Sequence, residues 1–258
     1  MTVTYAVRAH NAATDSDNRI HSDDVAQQYG FKGGLVPGVT VYAYMVRPVA
    51  SQWGRAWVER GSLTARFVQP VYEGDDTSVE FDEESGAVTV RNGAGETCAT
   101  GRAGWSEMVA PDVAGYPPAA LPDPRPAASP ESLVPGAMLG SLGAGFHADR
   151  AGEYLTIVSD DLPLWAEERI AHPGYLLTFA NYILSSNVKL GPWIHVESTA
   201  NHFAVVSDGE HWEIRGNVAD AYERKGHKFV ELDLLVVEGG IRPVMAIRHT
   251  AIYEPAKR

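Results

Sequence analysis

Apolar and polar positions alternate along this chain in two stretches of the same order. In the first, Thr2–Arg8 switches between apolar and polar residues at the period of a strand. Ser22 then stands as an N-cap, with Asp23 and Asp24 placing negative charge at a helix start. Gly30 to Gly34 reads as a loop. After Pro37-Gly38, apolar residues at Val39, Tyr42, Met45, Val46, Val49 and Trp53 follow helical spacing. Pro48 inside that run should kink or shorten the helix, because it removes a backbone donor. From Ser62 onward the period becomes two, over Ser62–Val68, Thr77–Phe81, Ala87–Arg91 and Glu96–Trp105, with Gly, Asp and Asn turn signals between them.

The second stretch has an apolar helical run at Tyr175–Leu184. Strands are expected at Trp193–Val206, Trp212–Asp220, Lys228–Val237 and Pro243–Tyr253. Individual residues match across the halves as well. Val36-Pro37-Gly38 aligns with His172-Pro173-Gly174, Trp57 with Trp193, Ser62 with Ser198 and Phe67 with Phe203, all 136 residues apart. Ser22-Asp23-Asp24 aligns with Ser159-Asp160-Asp161 at a spacing of 137. The shared spacing marks a duplicated unit. Each unit is a long helix followed by antiparallel strands, and a helix that apolar must be wrapped by a curved sheet. The fold class is therefore α+β.

Between the units, residues 109–135 carry eight of the 16 prolines, which block helix and sheet interiors. This stretch reads as an extended connector, giving units at 1–108 and 136–258. The 258 residues are 45% hydrophobic, as expected of a globular protein. A net charge of -12, with no Lys/Arg cluster, argues against nucleic-acid binding. One cysteine, Cys98, rules out an intramolecular disulfide. The first residues lack a basic region followed by an apolar run, and no stretch approaches 18 uninterrupted apolar residues. A cytoplasmic protein without a membrane span is the expectation. The nine histidines show no metal-ligand spacing, and no phosphate-binding or dinucleotide glycine motif is present, so neither metal nor cofactor is expected.

The residues with chemical potential lie in the first unit. Asn18-Arg19-Ile20-His21, followed by Ala26, Gly30-Phe31, Gly33-Gly34-Leu35-Val36 and Gly38, resembles the hydratase loop of the MaoC-like family. Arg66-Phe67-Val68-Gln69-Pro70-Val71 with Gly74-Asp75 is similar to that family's second motif. The resemblance implies a double hot-dog fold and the chemistry of type 2 enoyl-CoA hydratases and related dehydratases. In those enzymes an Asp and a His, with an Asn between them, hold water against the double bond of a 2-enoyl thioester. The backbone N–H at the start of the central helix steadies the charge that develops on the thioester oxygen. By this resemblance His21 handles the proton, Asn18 fixes the loop and bonds the water, and Gly38 supplies the N–H.

The departures from the pattern are specific. The family's Asp position is Ser16, which has no group that ionises near neutrality. A one-residue shift could bring Asp15 or Asp17 into place, and Asp17, which adjoins Asn18, is favoured. Pro37 stands where many members have His. The second unit has Val158 at the position of His21 and lacks the Asn-x-x-His pair, so only the first unit can be catalytic. There His172 reads as a packing or capping residue. An acyl-CoA or related thioester substrate would need a local basic patch, for which Arg8, Lys32, Arg47 and Arg66 are the candidates. Two other functions remain open. A thioesterase would need a carboxylate on the central helix, and residues 38–53 contain no Asp or Glu. A non-catalytic acyl-binding or assembly protein is favoured by Ser16. Two units can pair internally, so one chain can stand alone; a homodimer is the further expectation.

Overall fold

Both apolar helical runs become helices packed beneath a single sheet. The computed structural model describes residues 1–256. The first repeat contains β1 (Thr2–Arg8), α1 (Asp23–Gln28), α2 (Gly38–Arg60), β2 (Gly61–Phe67), β3 (Asp76–Asp82), β4 (Ala87–Arg91) and β5 (Thr97–Trp105). The second contains β6 (Met138–Gly145), α3 (Ala148–Ile157), α4 (Leu164–Glu167), α5 (Pro173–Asn187), β7 (Ile194–His202), β8 (His211–Arg224), β9 (His227–Glu238) and β10 (Arg242–Glu254). The strands form one antiparallel sheet in the order β1-β3-β4-β5-β2-β7-β10-β9-β8-β6. That order reads the same from either end once each strand is matched to its counterpart in the other repeat. The duplication seen in the sequence is thus a duplication of topology.

The two half-sheets join where β2 pairs with β7, in a register that sets Ser62 opposite Asn201, Thr64 opposite Thr199 and Arg66 opposite Glu197. The pairing removes an open edge from each repeat, where unpaired N–H and C=O groups would invite other chains. Beneath the seam α2 packs against α5. From Val39 to Ala50 nearly every residue of α2 is buried, so this stretch is apolar all round rather than striped. Trp57 is fully buried, and its indole N–H donates to the carbonyl of Gly104 at 3.1 Å, satisfying its one polar atom.

Pro48 does not end or break the helix. The backbone stays helical through it, and the one departure is Gly54, at φ 57° and ψ -156°. That conformation is open to glycine and costly for other residues, so the helix turns where the side chain permits it. Burial on all sides holds the turn around Pro48 in place.

Three elements, β6, α3 and the single-turn α4, had no clear sequence signal. β6, Met-Leu-Gly-Ser-Leu-Gly-Ala-Gly, is poor in β-branched and aromatic residues. Its glycines serve contact instead: a Cβ on Gly140 would lie 2.5 Å from Leu121 Cα. The proline-rich stretch therefore lies directly on this strand. Ala119 and Ser141 exchange bonds there, at 2.8 and 3.1 Å, and the Tyr116 hydroxyl donates to Asp233 at 3.1 Å. Residues 109–135 contain no α-helix or named strand, turn once as a 3-10 helix at Val113–Gly115, and are tied down along the second repeat. α3 has no buried residue, and α4 is only four residues long. Among the described residues no helix is long and apolar enough to cross a membrane.

Gly101 on β5 shows how close helix and sheet lie. A Cβ there would meet Thr64 O at 2.0 Å and Met45 Cε at 2.6 Å. The first obstacle is backbone of the neighbouring strand and cannot yield. Gly101→Ala is expected to destabilise the protein by about 3 kcal/mol, read as a lower urea midpoint.

Candidate active site

The loop between β1 and α2 is fixed around His21 by its own polar groups. Asn18 caps the short 3-10 turn Arg19–His21, its side chain accepting from the Ile20 N–H. Asn11 donates to the His21 carbonyl at 2.9 Å, and Asp23 accepts from the Gly34 N–H at 2.7 Å. The returning chain then passes directly over the turn. A Cβ on Gly34 would lie 2.0 Å from His21 O, so only glycine fits. This crossing sets the Leu35 carbonyl 2.7 Å from His21 Nδ1.

A carbonyl can only accept, so His21 Nδ1 carries the hydrogen and Nε2 presents its lone pair. Asn18 Nδ2 donates toward that lone pair at 3.3 Å. Burial pushes the His21 pKa below the ordinary histidine value, with the Leu35 bond opposing in part. At neutral pH the ring is therefore uncharged and able to accept a proton.

Asn18 also reaches across the seam. Its amide oxygen accepts from the Trp193 N–H at 3.1 Å, and its Nδ2 donates to the Trp193 carbonyl at 3.0 Å. The second repeat thus completes the site. Two cavities meet here. One, of about 230 Å³, is walled by apolar groups including Phe31, Leu35, Val41, Phe67 and Val71, with Gly38 and His195 also on its wall. The other, of about 560 Å³, is lined by Ser16, Asp17, Thr178, Arg125 and Lys189 among others. Asn18, His21, Asn181 and Trp193 border both.

The carboxylates fall apart from each other. Asp17 is exposed on the wider cavity, whereas Asp15 is exposed and lines neither. Ser16 lines the wider cavity, with its hydroxyl donating to the Asn18 carbonyl at 3.2 Å. The expected basic patch does not form. Arg66 pairs with Glu197 at 3.5 Å on the sheet surface, because the β2–β7 register sets them opposite. Lys32 is exposed over a separate depression that it shares with Glu73, Asp75 and Glu96. Arg8 lines yet another depression. Arg47 lines neither cavity and is bonded to Asp160 at 3.2 Å and Asp161 at 2.8 Å. The cations that do reach the site are Arg125 and Lys189. They come from the proline-rich stretch and from the residues after α5, where no motif marks them.

Arg47 belongs to the closing of the second repeat. Asp160, fully buried, accepts from Arg47 and lies 3.2 Å from His172 Nε2. His172 Nδ1 then accepts from the Gly174 N–H at 2.9 Å, capping α5. At the equivalent place in the first repeat Pro37 offers no such acceptor, and no side chain caps α2.

Sequence reasoning passed over Asn181, a carboxamide within the apolar run of α5, and His195. The signal for Asn181 was its polarity in a helix of buried residues. His195 had no counterpart in the first repeat to draw notice. His195 Nε2, Ser198 Oγ and His249 Nδ1 form a buried chain, with bonds of 2.8 and 3.0 Å.

No family model matches the chain, and no curated protein does. Solved structures do. One is from Chloroflexus aurantiacus J-10-fl, named for a MaoC domain protein dehydratase. It superposes with a TM-score of 0.63 at 11% identity, over 99% of this chain and 95% of its own. Another, from Mycobacterium tuberculosis and described as having a double hotdog fold, gives 0.62 at 16% identity over 98% and 95%. This chain is a double hot-dog. A third neighbour, from Novosphingobium aromaticivorans DSM 12444, is named as a thioesterase (TM-score 0.59, 13% identity, 98% and 96% covered). The fold is thus shared by dehydratase-named and thioesterase-named proteins, and the site must decide between them.

The double hot-dog encloses several histidines in neutral form. Burial lowers the pKa of His202 to about 4 and that of His249 to about 3, and places His195 well below its ordinary value. The unfolded chain binds protons at these residues once pH falls below about 6.5, while the folded chain does not. Stability is therefore full above that pH and lost below it. Between pH 6.5 and 5, His202 and His249 should each withdraw about 2 kcal/mol, seen as a falling urea midpoint.

Proposed function

We propose that the first repeat hydrates the 2,3-double bond of an enoyl thioester, or removes water from the 3-hydroxyacyl thioester in reverse. The observation that carries this reading is His21: neutral, held by Leu35, with its Nε2 lone pair met only by the Asn18 amide at a long 3.3 Å that a water can replace, and placed where an apolar cavity meets a polar one. The apolar cavity suits an acyl chain. The wider one, with Arg125 and Lys189, suits the phosphate-bearing carrier of a CoA thioester.

In the hydration direction, His21 Nε2 takes a proton from water as the water oxygen bonds to C3. The π electrons move onto C2 and the thioester oxygen, near the uncapped start of α2 at Gly38, whose N–H is free to donate to that charge. The buried imidazolium is a stronger acid than one in water, so it returns the same proton readily to C2. One histidine thus closes the cycle without a carboxylate at Ser16. A thioesterase finds less support, because α2 presents no carboxylate along residues 38–53. A non-catalytic acyl-binding protein is the second reading, favoured by Ser16 itself.

Hydration is measured as loss of the ultraviolet absorbance of short and medium 2-enoyl-CoA substrates. His21→Ala should lower kcat by roughly 10²- to 10⁴-fold with the fold intact. Asp17→Asn should cost less than about tenfold, and Asp15→Asn almost nothing, since neither carboxylate is required for the proton transfer. Wild-type binding of the thioester without turnover would replace this reading with the non-catalytic one.

The pH profile is a separate check. His21 must be neutral to accept a proton, and its pKa lies below the ordinary value. The acid limb of kcat should accordingly fall below about pH 6.5 rather than at or above it.

A further inference from the structure

Asn181 projects from α5 of the second repeat to the border between the two cavities, beside Asn18 and His21 of the first. Its Oδ1 is buried and has no hydrogen-bond partner among the described residues. A buried acceptor left unpaired costs roughly 1–3 kcal/mol, and natural proteins keep one where a ligand or water completes it. Leu177 and Leu184, four residues before and three after it on the same side of the helix, are buried and aliphatic, so an aliphatic side chain at 181 would suit the local packing.

From this we infer that Asn181 is a catalytic residue contributed across the seam, its Oδ1 accepting one O–H of the water whose other O–H faces His21 Nε2. The inference rests on the hydratase reading and deepens it. Water held between two acceptors presents its oxygen to C3. When the oxygen–C3 bond forms, the proton facing His21 passes to Nε2 and the one facing Asn181 stays on oxygen. The product's 3-hydroxyl therefore still donates to Asn181 Oδ1, and in the dehydration direction Asn181 orients that hydroxyl for departure. A carboxamide cannot take the proton, so Asn181 orients the water and His21 alone moves charge. The task that the resemblance gives to a carboxylate at Ser16 is in this way divided between the two repeats.

The test pairs Asn181→Leu with Asn181→Asp, which restores an acceptor. Asn181→Leu is expected to lower kcat for enoyl-CoA hydration about a hundred-fold while KM stays within about threefold. Its thermal midpoint should equal or exceed that of the wild type, since an unpaired buried acceptor has been removed. Asn181→Asp should recover at least part of the lost kcat. A second measurement needs no turnover: calorimetric binding of 3-hydroxybutyryl-CoA against butyryl-CoA. The wild type should prefer the hydroxylated thioester by about tenfold, and Asn181→Leu should show no preference. Full activity in Asn181→Leu, beside an inactive His21→Ala, would overturn the role of Asn181 and leave the hydratase reading standing. A wild type without turnover but with an Asn181-dependent preference would overturn the hydratase reading and keep the hydroxyl contact. Equal binding of the two thioesters by wild type and variant would overturn the contact itself.

Discussion

A helix that begins inside a protein must find partners for its first N–H groups, and in this molecule two long helices begin in the interior. The repeats meet that requirement in opposite ways. In the second, His172 accepts from the Gly174 N–H, is held in turn by Asp160, and Asp160 is neutralised by Arg47 from the other repeat's helix. The helix start there is closed by protein atoms alone. In the first, Pro37 offers no side-chain acceptor, and the start of α2 lies on a cavity wall at Gly38. One helix start is capped by side chains, with a cavity of about 320 Å³ beside His172, and the other has no side-chain cap, although both descend from the same pattern.

The repeat with the capped helix also supports the loop of the other. Trp193 holds Asn18 through both its backbone groups, Asn181 and Lys189 stand at the cavities, and Arg125 reaches in from the connecting stretch. Arg47 runs the opposite way, from the first repeat's helix to Asp160. Each half therefore supplies polar groups that the other needs buried, and the β2–β7 pairing fixes the distance between them. An isolated first repeat would keep His21 and its Leu35 bond but lose the partner that orients Asn18.

The large-scale order was legible because periodicity and duplication are properties of many residues at once. The alternating runs became β2 to β5 and β7 to β10 with shifts of a few residues at their ends, and the palindromic sheet is the 136-residue spacing seen in space. What escaped was set by contacts between distant segments. β6 is held in the sheet by pairing with β8, and its Gly140 answers to Leu121 rather than to strand propensity. Pro48 was read for its local cost, which burial of α2 overrides. Arg47 and Arg66 were read for charge, but whether a cation is free depends on what the fold sets opposite it.

The first-repeat loop was legible for a different reason: its geometry is local. Asn18, His21, Gly34 and Leu35 lie within 18 residues and bond to one another, so their spacing carries the arrangement. The second-repeat contributions carry no such spacing, since nothing in Asn181 or Lys189 refers to residues some 160 positions earlier. A carboxylate at position 16 would have stood between Asp15 and Asp17 in the chain, in a protein of net charge -12. Like charges so close raise the pKa of the group that is least solvated, which weakens it as a fixed anion. An uncharged acceptor delivered from α5 avoids that repulsion. Under the proposed reaction, the histidine's own low pKa, set by burial, is then the property that governs the movement of the proton.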